Sequence, residues 1–242
     1  MNTTCLKRYK ELKSTNSFVL DNYDEFKTGD VVVADVQTAG RGRFCRVWEG
    51  SSSGNIYMTF VIKPENVISF PFVNLTQYLS VVLNRIFNRD LGIKSNIKWP
   101  NDILVDGKKI SGILAEAKAL GGKMEGVALG VGINVNCDMS VFKNLPQASS
   151  ISAILGRETD KEKLLNLIVD EFFKDFEKFS EQGFPFIADE YKKMCKFNAV
   201  LNIGGSANNG KFRFDSLNPD GTLCVADENG KKITIVNGDI LC

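Results

Sequence analysis

Ile97-Lys98-Trp99-Pro100-Asn101-Asp102-Ile103-Leu104-Val105-Asp106-Gly107-Lys108-Lys109-Ile110-Ser111-Gly112-Ile113-Leu114-Ala115 is the stretch on which the architecture turns. Two short apolar runs, residues 97–99 and 103–105, flank a Pro-Asn-Asp break. Asp106-Gly107 is a hairpin signal, because both central positions of the favoured two-residue turn need φ > 0. Residues 110–115 then read as a further strand. The segment predicts strands joined by tight turns, with a proline, an asparagine, a carboxylate and two lysines at their ends.

Outward from this segment, residues 31–35 and 56–62 are apolar runs bounded by glycine or polar residues and also read as strands. Leu75, Leu79, Val82, Leu83, Ile86 and Phe87 fall on one helical stripe that packs against a sheet. Residues 126–135 predict another strand, interrupted by glycines where something approaches the backbone. Thr159 with Glu162 three positions later forms a capping box for a second helix. Its apolar face is Leu164, Leu165, Ile168, Val169, Phe172, Phe173 and Phe176. Beyond Tyr191 come short strands at 199–203, 211–214, 223–226 and 232–236, separated by Gly204-Gly205, Asn218-Pro219-Asp220-Gly221 and Glu228-Asn229-Gly230. The expectation is an α+β unit over residues 1–195 and a small β module over 196–242.

Composition removes whole classes of chemistry. The 242 residues contain no histidine, which excludes histidine triads, histidine acid–base catalysis and histidine metal sites within the chain. Thirty Lys and Arg against 29 Asp and Glu give a formal charge of +1, so no global field draws the protein to nucleic acid or anionic lipid. Six cysteines, Cys5, Cys45, Cys137, Cys195, Cys224 and Cys242, form neither a CxxC pair nor a disulfide scaffold. No N-terminal apolar segment resembles a signal peptide, and no apolar run reaches the length of a membrane span. A cytoplasmic location and no membrane partner are expected.

Several constellations remain for chemistry. Gly40-Arg41-Gly42-Arg43-Phe44-Cys45-Arg46-Val47-Trp48 places three arginines beside two glycines. Guanidinium forks match carboxylate and phosphate geometry, and glycine lets backbone approach a ligand. The loop is either an anion clamp or a solvated basic surface. In an extended loop Arg41 and Arg43 point the same way. Ser14-Thr15-Asn16 suits a neutral, heteroatom-rich ligand such as a ureido group, and equally suits a helix N-cap before Phe18. Trp99-Pro100 offers a rigid apolar platform or a plain strand end, and Asp102 a carboxylate able to meet Mg²⁺. Strand alternation aims one of Lys108 and Lys109 to the side shared with Ser111. In Gly130-Val131-Gly132-Ile133-Asn134, the glycine face leaves room for a flat ligand and carries Asn134, or it accommodates a crossing neighbour. Glu116 lies near this region with no role assigned by spacing.

Taken in order, Ser14-Thr15-Asn16, the arginine loop with Trp48, Gly54-Asn55-Ile56-Tyr57, Lys98-Trp99-Pro100-Asn101-Asp102, Lys109-Ile110-Ser111-Gly112-Ile113-Leu114 with Glu116, and Gly130-Val131-Gly132-Ile133-Asn134 closely resemble the biotin–protein ligases. The resemblance runs on to Gly238-Asp239-Ile240 and spans essentially the whole chain. The arginine loop and the Lys-Trp-Pro-Asn-Asp segment have no close counterpart in lipoate ligases, which share the catalytic fold. The resemblance implies a mixed sheet with packed helices, like the class II aminoacyl-tRNA synthetases and biotin–lipoate ligases, plus a C-terminal SH3-like β-barrel. It implies biotin activation by Mg·ATP to biotinyl-5′-AMP, then transfer to a lysine of a biotin carboxyl carrier protein or domain.

In this resemblance Ser14, Thr15, Asn16 and Gln37 bind biotin, and Arg41, Gly42 and Arg43 line the biotin and adenylate site. Arg43 holds carboxylate and α-phosphate, and Arg46 contacts ATP phosphates or orders the loop. Trp48 covers the adenine side once the loop closes. Lys109 bridges carboxyl and phosphoryl groups as the principal electrostatic catalyst. Asn101 and Asn134 belong to the nucleotide side, and Asp102 to Mg²⁺. The family's loop has glycine immediately before its third arginine, where this chain has Cys45. Some bacterial relatives carry an N-terminal winged-helix domain and repress transcription. This chain reaches Ser14 almost at once, so the form lacking that domain, without DNA binding, is expected. Relatives of that form occur as homodimers paired through sheet edges and as monomers. A lipoate or other carboxylic-acid ligase of the same fold, and a non-catalytic biotin- or adenylate-binding module, are the alternative readings.

Overall fold

The computed structural model describes residues 5–49, 53–63, 71, 73–121, 123–137, 139–143, 145–205 and 209–241, so Cys242 lies outside the described residues. In chain order come β1 (Cys5–Leu12), α1 (Thr15–Asp21), β2 (Asp30–Gln37), β3 (Ile56–Ile62), α2 (Val73–Arg89), β4 (Asn96–Lys98), β5 (Asp102–Val105), β6 (Lys108–Leu120) and β7 (Lys123–Ile133). There follow α3 (Ile151–Leu155), α4 (Lys161–Gln182), α5 (Ala188–Met194), β8 (Val200–Gly204), β9 (Gly210–Leu217), β10 (Leu223–Ala226), β11 (Lys232–Ile235) and β12 (Asp239–Leu241).

A seven-stranded sheet runs in the order β1-β2-β3-β7-β6-β5-β4. Only β1 and β2 pair in parallel, so the sheet is mixed, as expected. Asp106 and Gly107, at φ 48° and 76°, make the predicted left-handed turn between β5 and β6. Alternation sorts the faces of the sheet. Met58, Phe60, Leu129 and Val131 turn to one side, into a core with the buried stripes of α2 and α4. Phe60 stacks on Phe172 with centroids 4.1 Å apart, and Tyr78 stacks on Phe179 at 4.4 Å. Val32, Val61 and Ala128 turn to the other side, where α1 packs through Val19. That second face is left partly open beyond α1, and the candidate site lies on it.

The C-terminal strands form a five-stranded antiparallel sheet, β11-β10-β9-β8-β12, whose Leu201, Ile203, Leu223 and Val225 join the main core. The turn at 218–221 is its anchor. The Gly221 carbonyl accepts from Gln77 Nε2 at 2.8 Å and Trp99 Nε1 at 3.2 Å, and the Asp220 carbonyl accepts from Asn74 Nδ2 at 2.9 Å. Gly221 sits at φ 81°, and a Cβ there would lie 2.5 Å from Gln77 Oε1, so the turn admits only glycine.

Three expectations change. Trp99 is 1 % exposed, so it is core against this turn and not a ligand platform. The N-cap of α4 is Asp160, whose carboxylate accepts from Lys163 N at 3.0 Å. Thr159 instead exchanges backbone bonds with the Asn136 amide, at 3.0 and 2.8 Å, which moves the helix start by one residue. Strand β1 escaped the sequence reading because its CLKRYKEL run is polar on an edge and carries no apolar alternation.

Candidate active site

The site is built on the face of β6 and β7 that carries Gly112, Leu114, Gly130 and Gly132. A β-bulge decides which lysine reaches it. Ile103 pairs with Ser111, but the next residue, Leu104, pairs with Lys109, so Ile110 is the extra residue. One inserted residue reverses the alternation beyond it. Lys109 therefore shares the face of Gly112, with its Nζ 2.9 Å from where a Gly112 Cβ would sit. The expected partnership of Lys109 with Ser111 fails for this reason. Ser111 is fully buried and donates to the Gly132 carbonyl at 2.9 Å.

One side of the cavity is neutral and hydrogen-bonding. Ser14 caps α1, its Oγ accepting from Ser17 N at 3.4 Å, so the cap reading of this residue holds and also brings Thr15 and Asn16 to the cavity wall. Thr15 N donates to Gln37 Oε1 at 2.8 Å. The Thr59 hydroxyl stands 2.8 Å from Thr15 Oγ and 2.7 Å from Asn16 Oδ1. Asn16 Nδ2 donates to the Leu114 carbonyl at 3.1 Å and to Glu116 Oε2 at 2.9 Å. Ser14, Thr15, Asn16 and Gln37 are all buried, which fits preformed recognition of a small neutral group.

The arginine loop folds back on itself as a short hairpin. Gly42 N donates to Arg46 O at 2.7 Å, and Trp48 N to Gly40 O at 3.0 Å. Arg41 and Arg43 do not share partners: Arg41 donates to both oxygens of Glu116 at 2.8 and 2.9 Å. Arg43 reaches the C-terminal sheet, donating to the Gly238 carbonyl at 2.9 Å, to Asp239 Oδ1 at 2.7 Å and to Asn237 Oδ1. Arg46 pairs with the second Asp239 oxygen at 2.8 Å. Burial lowers the Arg43 pKa below the ordinary arginine value, and the nearby Asp239 and Asp102 oppose that. The guanidinium stays charged. A bare solvated loop would not place Arg43 at 15 % exposure in such a cradle.

Asp239 was not picked out as a site residue. It lies 196 positions from Arg43, and although Gly238-Asp239-Ile240 belongs to the family resemblance, nothing local gives the aspartate a role. Thr59 was missed as well, as one polar residue inside an apolar strand. At the loop tip Phe44 and Cys45 have φ of 54° and 59°, both left-handed. Cys45 therefore occupies the conformation that the glycine of the usual pattern supplies without strain.

Lys109 Nζ bonds Asp102 Oδ1 at 2.7 Å and lies 5.2 Å from the Trp48 ring. Asn101 Nδ2 donates to the Ile113 carbonyl at 2.6 Å, which turns its Oδ1 to Arg43 at 3.4 Å. Asn101 thus steadies the arginine. On the glycine face the Trp48 indole lies over Gly112 and Gly132, which still line the cavity together with Gly130. A Cβ on Gly132 would come within 2.4 Å of that ring. Trp48 divides two cavities: one with the neutral groups, Arg43, Asp239 and Lys109, the other running past Lys98, Leu104, Asn134, Phe142 and Gln147. Asn134 lines the second, its Nδ2 held by the Ser149 carbonyl at 3.0 Å. Among the described residues no group of three His, Cys, Asp or Glu side chains could cage a metal ion. Asp102 and Asp239 are the carboxylates lining the first cavity, and one of them would be enough for a magnesium ion carried on nucleotide phosphates, since Mg²⁺ commonly takes one or two carboxylates and keeps phosphate and water ligands.

Residues 9–134 match the family model described as "Biotin/lipoate A/B protein ligase family". The bifunctional ligase/repressor BirA of Bacillus spizizenii is 34 % identical over 220 residues, covering 88 % of this chain and 66 % of its own length. The chain thus spans just under two thirds of that relative. The biotin–[acetyl-CoA-carboxylase] ligase of Paracoccus denitrificans is 30 % identical, covering 91 % of this chain and 93 % of that protein. Among solved structures, the biotin protein ligase of Aquifex aeolicus in complex with biotin and ATP superposes with a TM-score of 0.82 at 24 % identity, covering 98 % of this chain and 97 % of that one. With sheet, loop and cation cluster in place, and with these matches across most of its length, the chain belongs to the biotin/lipoate A/B protein ligase family.

Proposed function

We propose that the protein is a biotin–[biotin carboxyl carrier protein] ligase. It activates biotin with Mg·ATP to biotinyl-5′-AMP and pyrophosphate, then passes biotin to the ε-amine of a carrier-domain lysine, releasing AMP. The observation that carries this reading is one cavity shared by the buried Ser14-Thr15-Asn16-Gln37 group and by Arg43, Arg46 and Lys109. A neutral ureido head fits the first group. A carboxylate meeting a phosphate fits the second, because two anions must be brought together for attack.

The mechanism follows from the residues present. Arg43 and Lys109 would offset the repulsion between the biotin carboxylate and the α-phosphate, and stabilise the negative charge carried by the α-phosphoryl oxygens during attack. Asp239 and Asp102 hold these cations in place before substrate arrives, so little reorganisation is needed at the moment of reaction. Magnesium, held by ATP phosphates with Asp102 as protein ligand, would supply further charge neutralisation. Arg46 serves loop order through Asp239, and Trp48 and Asn134 border the nucleotide side. In the second step the neutral lysine amine attacks the acyl carbon, the bond from that carbon to the AMP phosphate oxygen breaks, AMP leaves, and the proton given up by the nitrogen passes to solvent. A closed arginine loop keeps water from the adenylate meanwhile.

The partners in this reading are a carrier domain, biotin and ATP, with no DNA and no membrane. A net charge of +1 supports the absence of DNA, and no described helix is long and apolar enough to cross a membrane. The free thiols at exposed Cys5 and Cys45 support a reducing cytoplasm. A homodimer would pair a sheet edge, with β1 and β4 as the outer strands. In the same reading residues 1–195 are the catalytic unit and 196–242 an SH3-like module. Incubation with biotin, Mg·ATP and an isolated carrier domain, followed by intact-mass measurement, tests both half-reactions. The carrier gains one biotinyl group. Pyrophosphate release with lipoate but not biotin would replace this reading with a lipoate ligase, and release with neither would leave a binding module.

A further inference from the structure

Glu116 stands behind the cavity wall, and the adenylation chemistry leaves it without a task. Its carboxylate accepts from Asn16 Nδ2 at 2.9 Å and from Arg41 at 2.8 and 2.9 Å. An ionised carboxylate only accepts, so the Asn16 amide must turn its NH₂ toward Glu116. The Leu114 carbonyl, 3.1 Å from the same nitrogen, enforces that orientation.

The consequences propagate inward. Asn16 Oδ1 now faces the Thr59 hydroxyl at 2.7 Å and must accept from it. Thr59 has one proton to give, so a proton on the 2.8 Å contact between the Thr59 and Thr15 hydroxyls has to come from Thr15. The 3.1 Å contact from Thr15 Oγ to Gln37 Oε1 is the longer one and loses that competition. Thr15 Oγ is left with lone pairs to offer. Gln37 Oε1 is committed to the Thr15 backbone N–H at 2.8 Å, so Gln37 offers N–H groups instead.

We propose that Glu116 is a positioning and specificity residue: together with the Leu114 carbonyl it fixes the Asn16 amide and so the proton direction along Asn16, Thr59 and Thr15, which leaves Thr15 an acceptor beside a Gln37 already set as a donor by the Thr15 backbone N–H, for one orientation of a neutral ureido group, while it holds Arg41 at the cavity edge. The chain of side chains links a surface carboxylate to the ligand without Glu116 touching it. Asn16, with both ends of its amide engaged by protein, orients the other groups of that pocket.

This inference rests on the biotin reading, and the wild-type protein tests that reading first through biotin-dependent pyrophosphate release. Steady-state kinetics of variants then test Glu116. Glu116→Ala raises KM for biotin by about tenfold or more, while KM for ATP stays within about twofold. Glu116→Gln gives a smaller rise, since its carbonyl still accepts from Asn16. Thr59→Val cuts the chain at constant shape and gives the same selective rise, and Thr59→Ser restores the wild-type value. The valine variant also decides the matter if Glu116→Ala fails to fold. Thr59→Val with an unchanged KM for biotin, or with equal rises for biotin and ATP, overturns the proposal. Inactive wild type overturns the functional reading instead.

Discussion

Lys109 and Arg43 are separate in sequence but line the same cavity, and each has a carboxylate partner at 2.7 Å. Lys109→Ala should lower biotin-dependent pyrophosphate release by about 10²–10³-fold, the cost of removing one preorganised donor to developing charge. Circular dichroism should show an unchanged fold, because Lys109 is 35 % exposed. Full adenylate synthesis by that variant would remove Lys109 from catalysis. Cys45 is a different case. Its φ of 59° costs about 1–2 kcal/mol for a residue with a Cβ. Cys45→Gly should relieve that cost in the closed loop and slow the loss of adenylate from the protein by several-fold, read as retention after rapid gel filtration. Equal leakage from both proteins would free the loop from this explanation. The sequence marked Cys45 as the departure from the usual pattern, but the left-handed backbone there was visible only in the structure.

At the scale of elements, hydrophobic period carried most of the reading. The stripe Leu75, Leu79, Val82, Leu83, Ile86 and Phe87 is fully buried in α2, and the apolar face of α4 meets that helix where Phe172 and Phe179 pack on Tyr78. Hydrogen bonding set the ends less legibly. Thr159 and Asp160 are both good caps, and Asn136 decided between them by engaging Thr159. Asp160→Ala should therefore destabilise the protein by about 1 kcal/mol in urea unfolding, while leaving pyrophosphate release unchanged. An equal loss from Glu162→Ala and none from Asp160→Ala would reinstate the capping box. The bulge at Ile110 is the element-scale feature that matters most for chemistry. Two adjacent lysines enter β6, and the register against β5 chooses Lys109 for the face of Gly112 and Gly132.

For the whole molecule, the C-terminal sheet is a wall of the site. Asp239 on β12 binds Arg43 and Arg46 together, and Phe44 packs where a Cβ on Gly205 would be. Asp239→Ala should shorten adenylate retention by about tenfold, the order expected for losing a charge-assisted hydrogen bond, while the melting temperature falls only slightly. Unchanged retention would make the contact between sheet and loop incidental. The β9–β10 turn of that sheet is fixed to α2 and Trp99 through the Gly221 carbonyl, so the sheet is tied to both the core and the arginine loop.

Much was determined by the sequence alone. The alternating and helical periods and the Asp106-Gly107 turn specify a mixed α+β fold, the absence of histidine narrows the chemistry, and the ordered motifs carry the family resemblance from which Arg43 and Lys109 are proposed as its cations. These properties are local, or depend on the order of short segments, and a linear chain displays them directly. Tertiary structure decided which side chains meet. It assigned Lys109 to the site through a bulge, Asp239 to Arg43 across 196 positions, Glu116 to Asn16 and Arg41, and Trp48 to the glycine face. Those choices depend on register and on packing between distant strands, and no single stretch of the chain contains them.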